Sequence, residues 1–121
     1  MCWMVQDRDG RPVVNERGET LRELASPRLT GLRHHSLAES IIPPGGSTIP
    51  HHHQAGEEVY YVLRGRGRLT LDEATHDVGP GDAITIRPGT FHHLVNTGDK
   101  ELVILCSCAP AYAPEDFLPG R

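Results

Sequence analysis

Three histidines and a glutamate, set in two short blocks, are the residues best suited to chemistry. The first block holds His51, His53 and Glu58 between Gly45 and Gly65; the second holds His92 between Gly89 and Asn96. Imidazole nitrogens with one carboxylate oxygen suit a borderline divalent transition metal better than calcium or magnesium, which take oxygen ligands. His51 and His53 are two apart, so an extended strand would turn both rings to one face. Glu58 and His92 must then be brought in by folding. The glycines and prolines around each block are the turns that would do it. The pattern predicts a β-barrel with a metal inside.

These residues resemble the cupin family. Gly45-x5-His51-x-His53-x4-Glu58-x6-Gly65 matches its first motif throughout. Gly81, Gly89, His92 and Asn96 match the second, except that Arg87 stands where a proline is usual. The resemblance covers roughly residues 37–110. It implies an all-β double-stranded β-helix, the jelly-roll barrel, and an interior metal bound by His51, His53, Glu58 and His92. It does not imply one reaction.

Register decides between neighbours. Counting back from Gly65 selects Glu58 over Glu57, and counting on from Gly89 selects His92 over His93. Strand alternation turns His52, Glu57 and His93 outward. In related sites the glutamate position can also lie behind the ligands or exchange with substrate. Asn96 reads as a turn-closing residue. Tyr60 shares strand parity with Glu58 and is a candidate to orient a substrate, with core packing as the alternative. Arg87 is a candidate reader of a carboxylate or phosphate at the barrel mouth, with a solvated or acid-paired arginine as the alternative. The directions of His34, His35, Glu39 and Ser40 are not fixed by sequence.

The elements that must position these groups are short. Turn signals bound strand-like runs at 37–42, 48–53, 58–63, 68–71, 75–78, 83–86, 91–95 and 101–108, with 20–25 open to a helical turn or a strand. Pro110, Pro114 and Pro119 predict an irregular tail. The expected organisation is an N-terminal arm (1–36), a barrel (37–110) and a tail (111–121) whose Tyr112 and Phe117 anchor it to the barrel or to a second subunit.

The chain has 121 residues, enough for one core. A net charge of -4 and 5 % aromatic residues argue against a nucleic-acid partner. No apolar stretch approaches the ~20 residues a membrane span needs, and the charged N-terminus does not read as a signal peptide. A cytoplasmic protein is expected. Cys2, Cys106 and Cys108 form no disulfide framework; a zinc site from them is conceivable, but reduced, packed thiols are the preferred reading. No serine, lysine or cysteine has an evident basic partner, so the metal would carry the chemistry. The expected cofactor is one divalent ion per chain (Fe, Mn, Co, Ni, or Zn with Glu58 loosened), and the expected partners are a small, possibly anionic substrate and a second copy in a homodimer. An enzyme is favoured over a sensor or a storage role. Oxygen-dependent, dioxygenase-like oxidation or cleavage is placed ahead of lyase, isomerase, cyclase or decarboxylase chemistry.

Overall fold

The computed structural model describes residues 3–5, 7 and 12–121. Its strands are β1 (Val13–Val14), β2 (Thr20–Ala25), β3 (Ser36–Ile42), β4 (His51–His53), β5 (Glu57–Arg64), β6 (Gly67–Leu71), β7 (Ala74–Val78), β8 (Ala83–Ile86), β9 (His92–Asn96), β10 (Leu102–Ala109) and β11 (Phe117–Pro119). One helical turn, α1 (Pro27–Thr30), follows β2 and is capped by the Ser26 hydroxyl, which accepts from the Leu29 N–H. A 3-10 turn at Pro114–Asp116 precedes β11.

Two antiparallel sheets face each other, one ordered β1-β2-β3-β10-β5-β8 and the other β11-β4-β9-β6-β7. This is the double-stranded β-helix. Residues 20–25 form a strand rather than a helical turn, paired with β3 along its length. The tail is also more regular than its prolines suggest. β11 pairs with β4, because Pro119 sits at the end of an edge strand, where a missing N–H costs little. Cys2 lies outside the described residues; Cys106 and Cys108 are free thiols.

Alternation along the strands builds the core. On β5, Glu58, Tyr60 and Val62 are buried while Glu57, Val59, Tyr61 and Leu63 are exposed. Val62, Ile42, Leu69, Ile86, Leu94, Leu102 and Ile104 pack between the sheets with Tyr60. Each such aliphatic side chain contributes roughly 1.5–3 kcal/mol by leaving water. Gly65 shows why the first motif ends in glycine. Its φ is +88°, and a Cβ there would lie 2.4 Å from the Glu101 carbonyl oxygen.

Candidate metal centre

The four motif side chains come from three strands. β4 turns His51 and His53 inward, β5 supplies Glu58 and β9 supplies His92; all four are buried. His52 and His93 are only half-buried, and Glu57 is exposed. Two cross-chain contacts bring the blocks together. His51 pairs opposite His92 across β4 and β9. The Gly89 N–H, in the turn before β9, donates to the His53 carbonyl at 2.6 Å. Ring centroids are 4.9 Å apart for His51 and His53, 4.1 Å for His51 and His92, and 5.6 Å for His53 and His92. One ligand atom from each of the four residues lies within 4.8 Å of every other, so the cluster could hold a single ion.

Proton bookkeeping tests whether it fits one. Nδ1 of His92 lies 2.9 Å from the Thr90 carbonyl oxygen, and Nδ1 of His51 faces that of Ile49. A carbonyl only accepts, so both Nδ1 atoms carry the proton and both Nε2 atoms are lone pairs when the rings are neutral. Nε2 of His92 nevertheless sits 3.1 Å from Oε1 of Glu58, and Nε2 of His53 sits 3.4 Å from the same oxygen. Both nitrogens of His53 are buried without a hydrogen-bond partner. With the His92 ring neutral, a lone pair faces a carboxylate oxygen, a contact that a metal ion between them, or a proton on the ring, would make favourable, and buried unpartnered nitrogens are costly. The donor set fits a divalent transition metal.

The electrostatics agree. Burial, then the nearby His92, lowers the His51 pKa to about 4, so its ring is neutral at physiological pH. Burial pushes the Glu58 carboxyl up, but hydrogen bonds and positive charge from His53 and His92 when those rings carry the proton outweigh that and hold it at about 2; a bound cation would act on the carboxylate in the same sense. A neutral imidazole and an ionised carboxylate are the forms that bind metal.

Other candidates fall as follows. Tyr60 is buried, its ring 5.8 Å from His92. Burial, then Glu58, raises its phenol well above the usual range. Arg87 lies exposed on the turn after β8. His34 and His35 are exposed. Ser40 is fully buried, and Glu39 pairs with Arg22 at 3.8 Å. Asn96 closes its turn by donating to the Ile42 and Lys100 carbonyls and accepting from the Gly98 N–H.

Three residues near the centre were not singled out as site residues. Phe117 stacks on His51 at 4.4 Å and 24°. Asp116 places Oδ2 3.9 Å from Nδ1 of His53. Glu19, just before β2, is buried; its carboxylate accepts from the Ser40 hydroxyl and from the Asn15 amide at 2.8 Å. Burial raises the Glu19 carboxyl to about 7, with repulsion from Glu58 adding to the rise. The tail's alternating Phe117-Leu118-Pro119 was a weak strand signal; nothing adjacent to Glu19 marks it as interior.

Comparison with known proteins places this geometry. The cupin domain family matches residues 38–108. An uncharacterized protein of Methanocaldococcus jannaschii is 42% identical over 106 residues, covering 88% of this chain and 85% of that one. The polyketide cyclase RemF from Streptomyces resistomycificus superposes with a TM-score of 0.79 at 29% identity, over 98% of this chain and 85% of that one. A predicted oxalate decarboxylase from Thermotoga maritima superposes with a TM-score of 0.76 at 25% identity, over 88% of this chain and 99% of that one.

Proposed function

The chain belongs to the cupin family, and we propose that it is an enzyme holding one divalent transition-metal ion on His51, His53, Glu58 and His92 against a small, neutral, oxygen-bearing organic substrate. The observation that carries this reading is the convergence of the His53 and His92 Nε2 atoms on the Glu58 carboxylate inside the barrel. An ion bound there would supply Lewis-acid polarisation of a substrate oxygen.

The chain's own residues supply the rest. The backbone carbonyls of Ile49 and Thr90 hold the protons on Nδ1 of His51 and His92 and aim each Nε2 inward. Tyr60 keeps its proton at neutral pH and can donate it in a hydrogen bond to a bound oxygen. Glu19 titrates near 7, so its carboxyl can hold or release a proton in the range where a general acid or base is most effective. Val62, Ile86, Leu94 and Ile104 form an apolar wall that excludes water and strengthens these interactions.

Charge favours the substrate class. Among the described residues no arginine or lysine is buried, whereas Glu19 and Glu58 are. A substrate with several carboxylates would meet no protein counter-charge inside. A neutral phenolic or enolic molecule would meet a phenol, a hydroxyl and a carboxyl. Likeness to a polyketide cyclase supports the same direction. Oxygen-dependent oxidation is the second reading, favoured by a donor set that also accommodates Fe(II).

The test is reconstitution with Fe, Mn, Co, Ni or Zn, followed by turnover assays on neutral phenolic polyketides and on oxalate, with and without oxygen. The expected result is metal-dependent turnover of a neutral substrate without oxygen. A strict oxygen requirement would move the reading to oxidation, and turnover of oxalate alone would contradict the substrate class.

A further inference from the structure

The C-terminal segment is laid across the strand that carries two of the proposed ligands. Phe117 pairs opposite His53 and Pro119 opposite His51. The Gly120 N–H donates to the Pro50 carbonyl at 2.9 Å, and Nδ1–H of His52 donates to the Gly120 carbonyl at 2.8 Å. At the head of this segment the Asp116 carboxylate accepts from the N–H groups of Ala55 at 2.8 Å and Gly56 at 2.9 Å. Those amides belong to the turn between β4 and β5, which sets the spacing of His53 and Glu58. Gly56 leaves the room: a Cβ there would lie 3.1 Å from Oδ2 of Asp116 and 2.9 Å from Sγ of Cys108.

The three imidazoles differ in one respect. His51 and His92 each have a backbone carbonyl, two residues upstream, to receive the Nδ1 proton. Nδ1 of His53 has no hydrogen-bond partner, and the Asp116 carboxylate stands 3.9 Å from it. A carboxylate beside the outer nitrogen fixes the tautomer and ring orientation of a ligating histidine and raises its basicity. We propose that Asp116 is a positioning residue for the metal centre, keeping the proton on Nδ1 of His53 so that Nε2 is presented as the donor. This rests on the metal-binding reading above. It makes the C-terminal segment part of the site rather than a cover over it.

Zinc serves as a diamagnetic probe. In the zinc-loaded, isotope-labelled protein, long-range nitrogen–proton correlation should show His53 protonated at Nδ1 and coordinated through Nε2. Zinc affinity, read by chelator competition, should fall roughly 10–100-fold in Asp116→Asn. Asp116→Glu should recover part of that loss. Leu118→Ala loosens the same segment without touching the carboxylate, and should lower the thermal midpoint of the metal-free protein with a smaller loss of affinity. Coordination through Nδ1 of His53, affinity in Asp116→Asn within twofold of the parent, or equal losses in Asp116→Asn and Leu118→Ala at equal thermal midpoint would each overturn the proposal. A parent protein that binds no zinc and no other divalent ion would overturn the metal centre itself, a different failure.

Discussion

The phenyl ring of Phe117 lies nearly parallel to the imidazole of His51, centroids 4.4 Å apart and planes 24° from each other. A residue four places before Arg121 thus orients a residue in the middle of the sequence, through the pairing of β11 with β4. Stacking of this kind adds ~0.5–1.5 kcal/mol beyond area burial.

Phe117→Ala should therefore lower stability by about 1–3 kcal/mol in urea denaturation, less than the ~3–5 kcal/mol of a fully buried phenylalanine because this ring is only half-buried. Metal affinity should weaken with it. Phe117→Leu should restore most of the stability and less of the affinity, since it refills volume without stacking. A Phe117→Ala protein with unchanged stability would show that β11 contributes little to holding β4.

What was legible in the sequence, and what was not, divides along the reach of the signal. Period-two alternation separated His51 and His53 from His52, motif spacing from Gly65 and Gly89 separated Glu58 from Glu57 and His92 from His93, and the burial of these residues follows. Turn residues placed most strands within a residue or two. Asp116 and Phe117 were out of reach as site residues because their partners, His53 and His51, lie more than sixty positions away. Glu19 was hidden for a related reason. It lies in the N-terminal arm just before the strand-like run 20–25, and its partner Ser40 is 21 positions away.

Glu19 gives a pH-dependent stability with a defined sign. Its folded pKa of about 7 stands above the ordinary 4.5, so the native state keeps a proton that the unfolded chain releases. That contribution is fully present below pH 4.5 and is lost as pH rises through 7. Glu19→Gln should therefore differ little from the parent below pH 4.5 and be more stable at pH 8, by an amount on the order of 1–3 kcal/mol. Urea denaturation of both proteins at the two pH values checks this. A stability difference that does not change with pH would contradict the buried, proton-holding Glu19.

Assembly is expected to use the outer face of β5. Val59, Tyr61 and Leu63 are 43%, 44% and 44% exposed, and Leu105 lies beside Tyr61 in the neighbouring strand. Such a stripe would bury well against its own copy in an isologous homodimer. Light scattering should give twice the chain mass at micromolar concentration, and Tyr61→Glu with Leu63→Glu should give the monomer with metal content retained. A monomeric parent protein would remove this expectation.

The most direct measurement of the central claim is the metal content of protein purified without chelator and then equilibrated with one divalent ion at a time, compared across four single variants. One ion per chain is expected for the parent. His51→Ala and His92→Ala should lose it almost completely, because each removes an inward Nε2 donor. His52→Ala and His93→Ala should retain it, because strand parity points both rings away from the centre. Equal loss in all four variants, or no stoichiometric ion in the parent protein, would contradict the account.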